Sequence, residues 1–170
     1  MTTESTFFAP VKKVPCAEII PGYSFNNYND HAIVMDLKEG QKIVNFCSPN
    51  YGLLKNQEVF PMVEKALSEI FSTYSKEYSV NHTDAVFTAT YNAGVNPTLY
   101  KGIKKEQLIP QIIIGNSYNS SKLFNVSYGV YRQICSNGLW GVTTEKFSYS
   151  HTEGKLERMI EKLKEVTRLS

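Results

Sequence analysis

The segment Val86–Tyr91, which reads VFTATY, decides the fold class of this 170-residue chain. Its β-branched Val and Thr residues alternate with Phe, Ala and Tyr, and this two-residue period is typical of a strand whose two faces meet different surroundings. A strand needs neighbours that satisfy its backbone hydrogen bonds. The sequence therefore predicts a β-sheet around this segment, with partners among the β-prone segments before and after it.

Five further segments combine β-prone composition with flanking turn residues: Ala32–Leu37, Lys42–Cys47, Ile109–Asn116, Lys122–Val130 and Val142–Tyr149. A glycine-bearing turn joins the first two segments, which predicts a hairpin. The polar turn NSYNSS joins the next pair and predicts a second hairpin. The triplet Ser136-Asn137-Gly138 predicts one more tight turn, because Asn and Gly tolerate positive φ.

Two segments show the apolar period of amphipathic helices. The first runs roughly from Asn56 to Lys76, with Asn56 as a candidate cap, although Pro61 leaves its start open. The second runs from about Glu153 to Leu169 and mixes Glu with Lys and Arg on its polar face. This order of elements predicts an α+β fold in which an antiparallel sheet of about five strands packs with two helices.

Length and composition indicate one domain. Residues 1–31 contain three prolines and a polar start, so they are predicted to form an irregular N-terminal arm, followed by a single α+β domain over residues 32–170. No apolar run is long enough for a membrane span, and the N-terminus lacks the pattern of a secretory signal. The three cysteines are widely spaced and form no CxxC pair, which suits free thiols in a reducing cytoplasm.

Cofactor chemistry finds no support in the sequence. The three histidines, His31, His82 and His151, are more than 50 residues apart and belong to no metal-binding motif. The glycines do not follow a Walker or dinucleotide-binding pattern either. We therefore expect neither a metal nor a nucleotide cofactor. The net charge of +2 permits a nucleic-acid partner without indicating one.

Three motifs in the second half of the chain form a recognisable series. They are IGNSYNSS at Ile114–Ser121, YGVYRQICSNGL at Tyr128–Leu139, and the pair His151-Thr152. The series resembles a phage/plasmid-like family of unknown function that is found in mobile genetic elements of many bacteria. Members of that family typically show an N-S turn, an arginine three residues before a C-x-N-G box, and a histidine-containing H-T. An earlier segment, Tyr51–Glu58, also matches the family.

The resemblance covers about residues 45–155. Its motif residues are Asn116, Ser117, Arg132, Cys135, Asn137, Gly138 and His151. The D-G of the family's hairpin turn is replaced here by Asn119-Ser120, so a role for that acidic residue is not carried over. Many members are longer, and the family has no agreed activity. The resemblance therefore implies a phage or plasmid setting, in a bacterial host cell, and leaves the chemistry open.

Basic and aromatic residues are interleaved in the second half of the chain: Lys101, Lys104, Lys105, Tyr118, Lys122, Tyr128, Arg132, Trp140 and Lys146. Cations that follow a phosphate backbone, beside aromatic faces that stack on bases, are what single-strand binding requires. Together with the resemblance, this set predicts a non-enzymatic DNA-binding accessory protein of a phage or plasmid. We expect it to prefer single-stranded DNA and to act in recombination or replication.

Three other interpretations stay open. The lysines and tyrosines could simply belong to a sheet that has one face exposed to solvent. They could instead anchor a protein-interaction or assembly module. A cysteine-dependent enzyme would use Cys135 as nucleophile and His151 as base, but no acidic partner for the histidine is evident. The predicted layout also resembles that of phage single-strand annealing proteins, which form oligomeric rings, although such a fold-level analogy carries little weight for function.

Overall fold

The computed structural model describes residues 3–22, 29–81, 83–93, 108–135 and 138–149, together with Arg158, Glu161, Lys162 and Glu165. For residues 108, 109, 130–135, 138–145 and 149 it describes the backbone. The elements in chain order are α1 (Thr3–Phe7), β1 (Val11–Pro15), α2 (Cys16–Ile19), β2 (His31–Leu37), β3 (Gly40–Cys47), α3 (Asn56–Ile70), β4 (Tyr74–Val80), β5 (Val86–Ala93), β6 (Leu108–Ser117), β7 (Phe124–Cys135) and β8 (Gly138–Tyr149).

The strands form two antiparallel sheets. The first has the order β1-β2-β3, and the second has the order β4-β5-β6-β7-β8, so every strand pairs with its neighbour in sequence. The predicted α+β class with a five-stranded antiparallel sheet is confirmed, and the structure adds the three-stranded sheet and two short helices. In β5, alternate residues are buried, beginning with Phe87, as the period of the VFTATY segment predicts.

The core lies between the sheets and α3, and aromatic rings from four elements meet there. Phe7 of α1 is fully buried, and its ring centroid lies 4.8 Å from that of Phe60 in α3 and 5.6 Å from that of Phe87 in β5. The Phe87 ring in turn lies 4.7 Å from the ring of Tyr118. Such edge-to-face and tilted contacts stabilise the fold in addition to the burial of the large apolar surfaces.

The predicted irregular arm over residues 1–31 is wrong for the segments that form α1, β1 and α2. The strand β1 pairs with β2 from Val11↔Met35 to Pro15↔His31. Prolines are compatible with this strand because it lies at a sheet edge and Pro15 is its last residue. Burial of Phe7 and Val11 makes the N-terminal segment part of the core. Residues 23–28 of the arm lie outside the described residues.

The first predicted helix is confirmed but ends six residues earlier than expected, at Ile70. Tyr74 and Lys76 belong instead to β4, where they pair with Ala93 and Tyr91. The spacing of four residues from Ile70 to Tyr74 fits a helix, which explains the overprediction. Asn56 is the first helical residue and not the cap, since Lys55 occupies the N-cap position.

Two other parts of the prediction fall partly outside the described residues. The predicted turn at residues 136–138 separates β7 from β8, and its first two residues are not described. Of the predicted C-terminal helix, the structure describes Arg158, Glu161, Lys162 and Glu165, all with helical backbone. None of the helices formed by the described residues is long and apolar enough to cross a membrane.

Two buried amides, Asn56 and Asn116, connect α1, α3 and β6. The Asn116 side chain donates to the main-chain oxygen of Leu54 and to Oδ1 of Asn56, both at 2.8 Å. The Asn56 side chain donates to the main-chain oxygen of Phe7 at 2.8 Å, and its backbone N–H donates to the Tyr118 hydroxyl at the same distance. Because both amides are fully buried, removing one of these hydrogen bonds leaves a polar group that water cannot reach.

Replacement of Asn116 by alanine should lower the free energy of unfolding by about 2–4 kcal/mol, since it leaves buried partners unsatisfied. Replacement of Asn125 by alanine is the matched control, because its amide donates to the main-chain oxygen of Leu123 at an exposed site. We expect that control to cost less than about 1 kcal/mol. Urea unfolding of both variants measures the difference, and equal losses would contradict the role of the buried network.

A cluster of polar side chains around Glu64 connects α3 to β4 and β5. The Glu64 carboxylate accepts hydrogen bonds from the hydroxyls of Tyr78 and Tyr91, and its Oε2 lies 2.9 Å from Nζ of Lys76. Burial, followed by the hydrogen bond to Glu64, raises the pKa of Tyr78 to about 12. Burial and the nearby Glu64 charge also raise the pKa of Tyr91, and the hydrogen bond to Glu64 raises the pKa of Lys76. The cluster therefore holds its protons more tightly in the folded state.

Stability should fall as the pH rises from about 10 to about 12. An unfolded tyrosine titrates near pH 10, whereas the folded pKa of Tyr78 is about 12, so the folded state binds more protons in this window and loses stability across it. Replacement of Tyr78 by phenylalanine should make the decline less steep. Urea unfolding at several pH values between 8 and 11.5 measures it. A decline of equal steepness in the variant would contradict the assignment.

Candidate functional site

A cleft of about 370 Å³ lies between β1 and the loop that enters α3. Its lining residues are Lys12, Lys13, Tyr51, Gly52, Leu53, Leu54 and Lys55. We call it the lysine cleft. Three of its described lining residues are cationic and none is acidic, so the cleft favours an anion.

The three lysines come from two parts of the chain that the fold brings together. Lys12 and Lys13 are consecutive in β1, where they pair with Val34 and Ile33 of β2, so their side chains leave opposite faces of this edge strand. Lys55 lies at the N-cap of α3, about forty positions later in the chain. The Asn116 network fixes this second part, because it binds the main chain at Leu54 and the side chain of Asn56 on either side of Lys55.

Lys13 holds one wall of the cleft in place. Its Nζ donates to the main-chain oxygen of Pro49 at 2.5 Å and to that of Tyr51 at 2.9 Å. These two bonds connect β1 to the loop and use two of the three N–H groups of the ammonium. The ammonium keeps a third N–H and its positive charge.

The other two lysines are more accessible. Lys12 is exposed and, among the described residues, has no ion-pair partner. Lys55 Nζ lies 2.8 Å from Oε1 of Glu58, and both side chains are exposed. An exposed pair of this kind contributes little net free energy, so an incoming anion can replace Glu58 at little cost.

The N-terminus of α3 adds a partial positive charge beside Lys55. The helix has 15 residues and no side-chain cap hydrogen bond at its N-cap. Its aligned peptide dipoles place roughly half a positive charge at this end. Two backbone N–H groups near the start already have protein acceptors, since Asn56 donates to Tyr118 and Glu58 donates to the main-chain oxygen of Lys55. The dipole therefore supplements the lysines and does not replace them.

Tyr51 contributes a neutral wall. Burial raises the pKa of its hydroxyl, and the nearby Ser120 hydroxyl opposes this effect. The hydroxyl accordingly stays protonated at neutral pH and brings no negative charge to the cleft.

Sequence reasoning missed the lysine cleft. The Lys12-Lys13 pair lies in the segment predicted to be irregular, and Lys55 was part of a motif without an assigned role. The pair of adjacent lysines and a lysine directly before a helix are visible in the sequence. Their proximity is not, because it depends on the pairing of β1 with β2 and on the buried contacts of Asn56.

Two of the predicted base-stacking residues are buried. Tyr118 is 0% exposed, and its hydroxyl accepts the backbone N–H of Asn56. Tyr128 is 5% exposed and belongs to the core. Neither ring offers a face to a base, so their predicted stacking role is corrected to a structural one. The signal missed was position, since Tyr128 lies on the inward face of β7, where alternate residues are apolar, and Tyr118 directly follows β6.

The motif residues Asn116 and Ser117 are also structural. Both are fully buried. Ser117 Oγ donates to the main-chain oxygen of Lys122 at 2.7 Å and accepts its N–H at 3.1 Å, which closes the hairpin turn. The N-S-Y motif thus has a physical explanation in three buried side chains that join the turn, β6 and α3.

The remaining predicted residues divide into two sets. Lys122 and Lys146 are exposed. Arg132, Cys135, Gly138 and Trp140 have a described backbone, and the register pairs Arg132 with Trp140 and Cys135 with Gly138 across β7 and β8. Five residues lie outside the described part of the chain: Lys101, Lys104, Lys105, Asn137 and His151.

The described residues contain no group of three or more His, Cys, Asp or Glu side chains that could hold a metal ion. Cys16 and Cys47 are free thiols and are buried. Burial raises the pKa of both thiols, which opposes formation of a reactive thiolate.

The arrangement of charges in the lysine cleft is therefore the main chemical indication that the described structure offers. Comparisons with known proteins add no further indication. The chain matches no protein-family model, no curated protein and no solved structure.

Proposed function

We propose that this chain is a non-enzymatic DNA-binding accessory protein of a phage or plasmid, which acts in the cytoplasm of the bacterial host and prefers single-stranded DNA. The observation that supports DNA binding best is that Lys12, Lys13 and Lys55 all line one cleft. The phage or plasmid setting is supported by the resemblance of the N-S-Y, Y-R-x-x-C-S-N-G and H-T motifs. A homo-oligomer is compatible with this function.

Phosphate is the anion that these lysines suit. An ammonium is a compact point charge with three donors, and lysines of this kind neutralise phosphates and release bound counterions. Lys13 is held in place by two carbonyl oxygens before any ligand binds. Less side-chain entropy is then lost on binding, which favours affinity.

A DNA strand that leaves the cleft could contact one further cation, Lys122. The turn between β6 and β7 contains Ser120, whose hydroxyl influences the pKa of Tyr51 in the cleft. That turn carries Lys122, which is exposed and lies two residues after Ser120. In this proposal Lys122 continues the contacts to the phosphate backbone that begin at Lys12, Lys13 and Lys55.

The preference for single strands now depends on fewer aromatic residues than the sequence suggested. With Tyr118 and Tyr128 in the core, Trp140 carries the proposed stacking on bases. In the ladder of β7 and β8, the backbone of Trp140 pairs with that of Arg132.

One observation favours the alternative, a protein-interaction or assembly module. Two large apolar side chains of β3 are exposed, Ile43 at 38% and Phe46 at 44%. Exposed apolar groups on an edge strand can mark a contact with another chain. Salt separates the two functions, because phosphate binding weakens steeply with added salt and an apolar interface does not.

Replacement of both Lys12 and Lys55 by alanine should weaken binding of a labelled single-stranded oligonucleotide by about tenfold or more and reduce its salt slope by about one to two units. Fluorescence anisotropy at low and moderate salt measures both quantities, with duplex DNA as a comparison. The matched control replaces Lys38 and Lys65, two exposed lysines outside the cleft, by alanine.

We expect this control to bind nearly as the unmodified protein does. Equal losses in the two double variants would show that general charge, and not the cleft, holds the DNA. Absence of binding even at low salt would reject the DNA-binding function and favour a protein partner.

A further inference from the structure

We propose that two copies of this chain associate through the outer face of the five-stranded sheet, which is the face that points away from the core. The core side chains of β5 are Phe87, Ala89 and Tyr91, so the residues that alternate with them belong to the outer face. This association does not depend on the proposed DNA binding. The outer face contains none of the residues that line the lysine cleft.

One row of side chains crosses the middle of the outer face from edge to edge. From β4 to β8 its members are Glu77, Thr90, Ile113, Ser127 and Lys146. Directly paired residues of neighbouring strands lie on the same face of a sheet. The two charged side chains at the ends are exposed, and the three between them are half-buried. The row thus begins with an acid, has an apolar residue at its centre and ends with a base.

The three central strands, β5 to β7, carry no charge among their described side chains on this face. Those side chains are Val86, Thr88, Thr90, Asn92, Gln111, Ile113, Asn125 and Ser127. On an ordinary solvated surface about a quarter to a third of the residues are charged. Depletion of charged residues marks the centre of a protein interface, whose rim is polar and accessible. The outer face has this distribution, with its charges at the edge strands.

Two amides on this face already have hydrogen-bond partners within the chain. The Gln111 side chain donates to Oδ1 of Asn92 at 2.6 Å, across β5 and β6. The Asn125 side chain donates to the main-chain oxygen of Leu123 and lies across Gly115, where a Cβ would come within 2.7 Å of the amide nitrogen. The face is therefore flat at this point, and both amides keep their hydrogen bonds when a partner covers them.

A second copy fits the row because the reversed row is complementary to it. With a two-fold axis along β6, Ile113 meets Ile113 of the second copy at the centre, and Thr90 faces Ser127. At the ends Glu77 faces Lys146, so a symmetric dimer contains two such ion pairs. Aligned sheets cross at about 30°, which displaces the ends of the row by about 5 Å. The long side chains of Glu77 and Lys146 can span that distance.

The area of the face is sufficient for a weak dimer. Strands about 4.8 Å apart make a five-stranded sheet roughly 24 Å wide, and the eight residues of β5 extend over about 26 Å. The face therefore covers about 600 Å² in each copy, or about 1,200 Å² in both. Specific interfaces begin near this area, so we expect a reversible dimer.

The chemistry of the face favours a second copy over DNA. Among its described side chains Lys146 is the single cation, Glu77 is an anion, and none is aromatic. Binding of a single strand requires several cations along the phosphate backbone and aromatic rings that stack on bases. A second copy instead supplies an opposite charge to each edge of the face.

Sedimentation equilibrium from micromolar to millimolar protein concentration tests the dimer. The variants Glu77→Lys and Lys146→Glu each bring like charges together at both ends of the row, so each should weaken dimerisation about tenfold or more. The double variant Glu77→Lys, Lys146→Glu exchanges the charges and should restore the affinity to within about threefold of the unmodified protein. Glu39→Lys, in the exposed turn between β2 and β3, is the matched control and should leave dimerisation unchanged.

A thiol introduced at the centre of the row tests the position of the axis. In Ile113→Cys the two introduced thiols meet across the axis, so oxidation in air with copper phenanthroline should join them in a disulfide-linked dimer. Lys38→Cys, at an exposed turn, should give no such product. A chain that stays monomeric at millimolar concentration would contradict the inference. A dimer that survives both single charge reversals and is lost in Ile43→Asp would also contradict it, since the copies would then meet at β3.

Discussion

The hydrogen bonds of Asn56 and Asn116 are the constraint on which the rest of the structure depends. Through them β6 binds the main chain at Leu54, α3 begins at a defined place, and α1 is attached through the main-chain oxygen of Phe7. Buried amides are costly unless every donor and acceptor has a partner, so such a network admits few alternative arrangements. It determines where the entry to α3 lies relative to the five-stranded sheet.

The lysine cleft follows from that constraint. Leu54 and Asn56 are bound on either side of Lys55, while Lys13 ties β1 to the same loop. Three lysines thereby line one cleft beside the start of α3, although each lysine by itself is an ordinary surface residue. Repulsion among like charges in a confined space would be relieved by a bound anion, and this gives the cleft its proposed role in phosphate recognition.

The sequence predicted the parts of the fold that depend on local periodicity. The alternation in Val86–Tyr91, the hairpin of β2 and β3, and the apolar stripe of α3 are all local patterns, and the structure contains them. The predictions from the sequence were wrong where tertiary contacts override composition. The prolines near β1 suggested an irregular segment, but the strand is stabilised by its pairing with β2. The tyrosine-rich segment suggested nucleic-acid contacts, but its Tyr118 and Tyr128 are buried in the core. The lysine cleft could not be predicted, because its residues meet only through long-range packing.

The most direct test of the account is a titration of isotope-labelled protein with a single-stranded oligonucleotide, followed by NMR. We expect saturable chemical-shift changes at the backbone amides of Gly52–Asn56 and of Lys12 and Lys13, which are absent in the Lys12→Ala, Lys55→Ala double variant. Binding that leaves these amides unchanged and shifts those of β3 around Ile43 would contradict it. In that case the cleft would have no part in recognition.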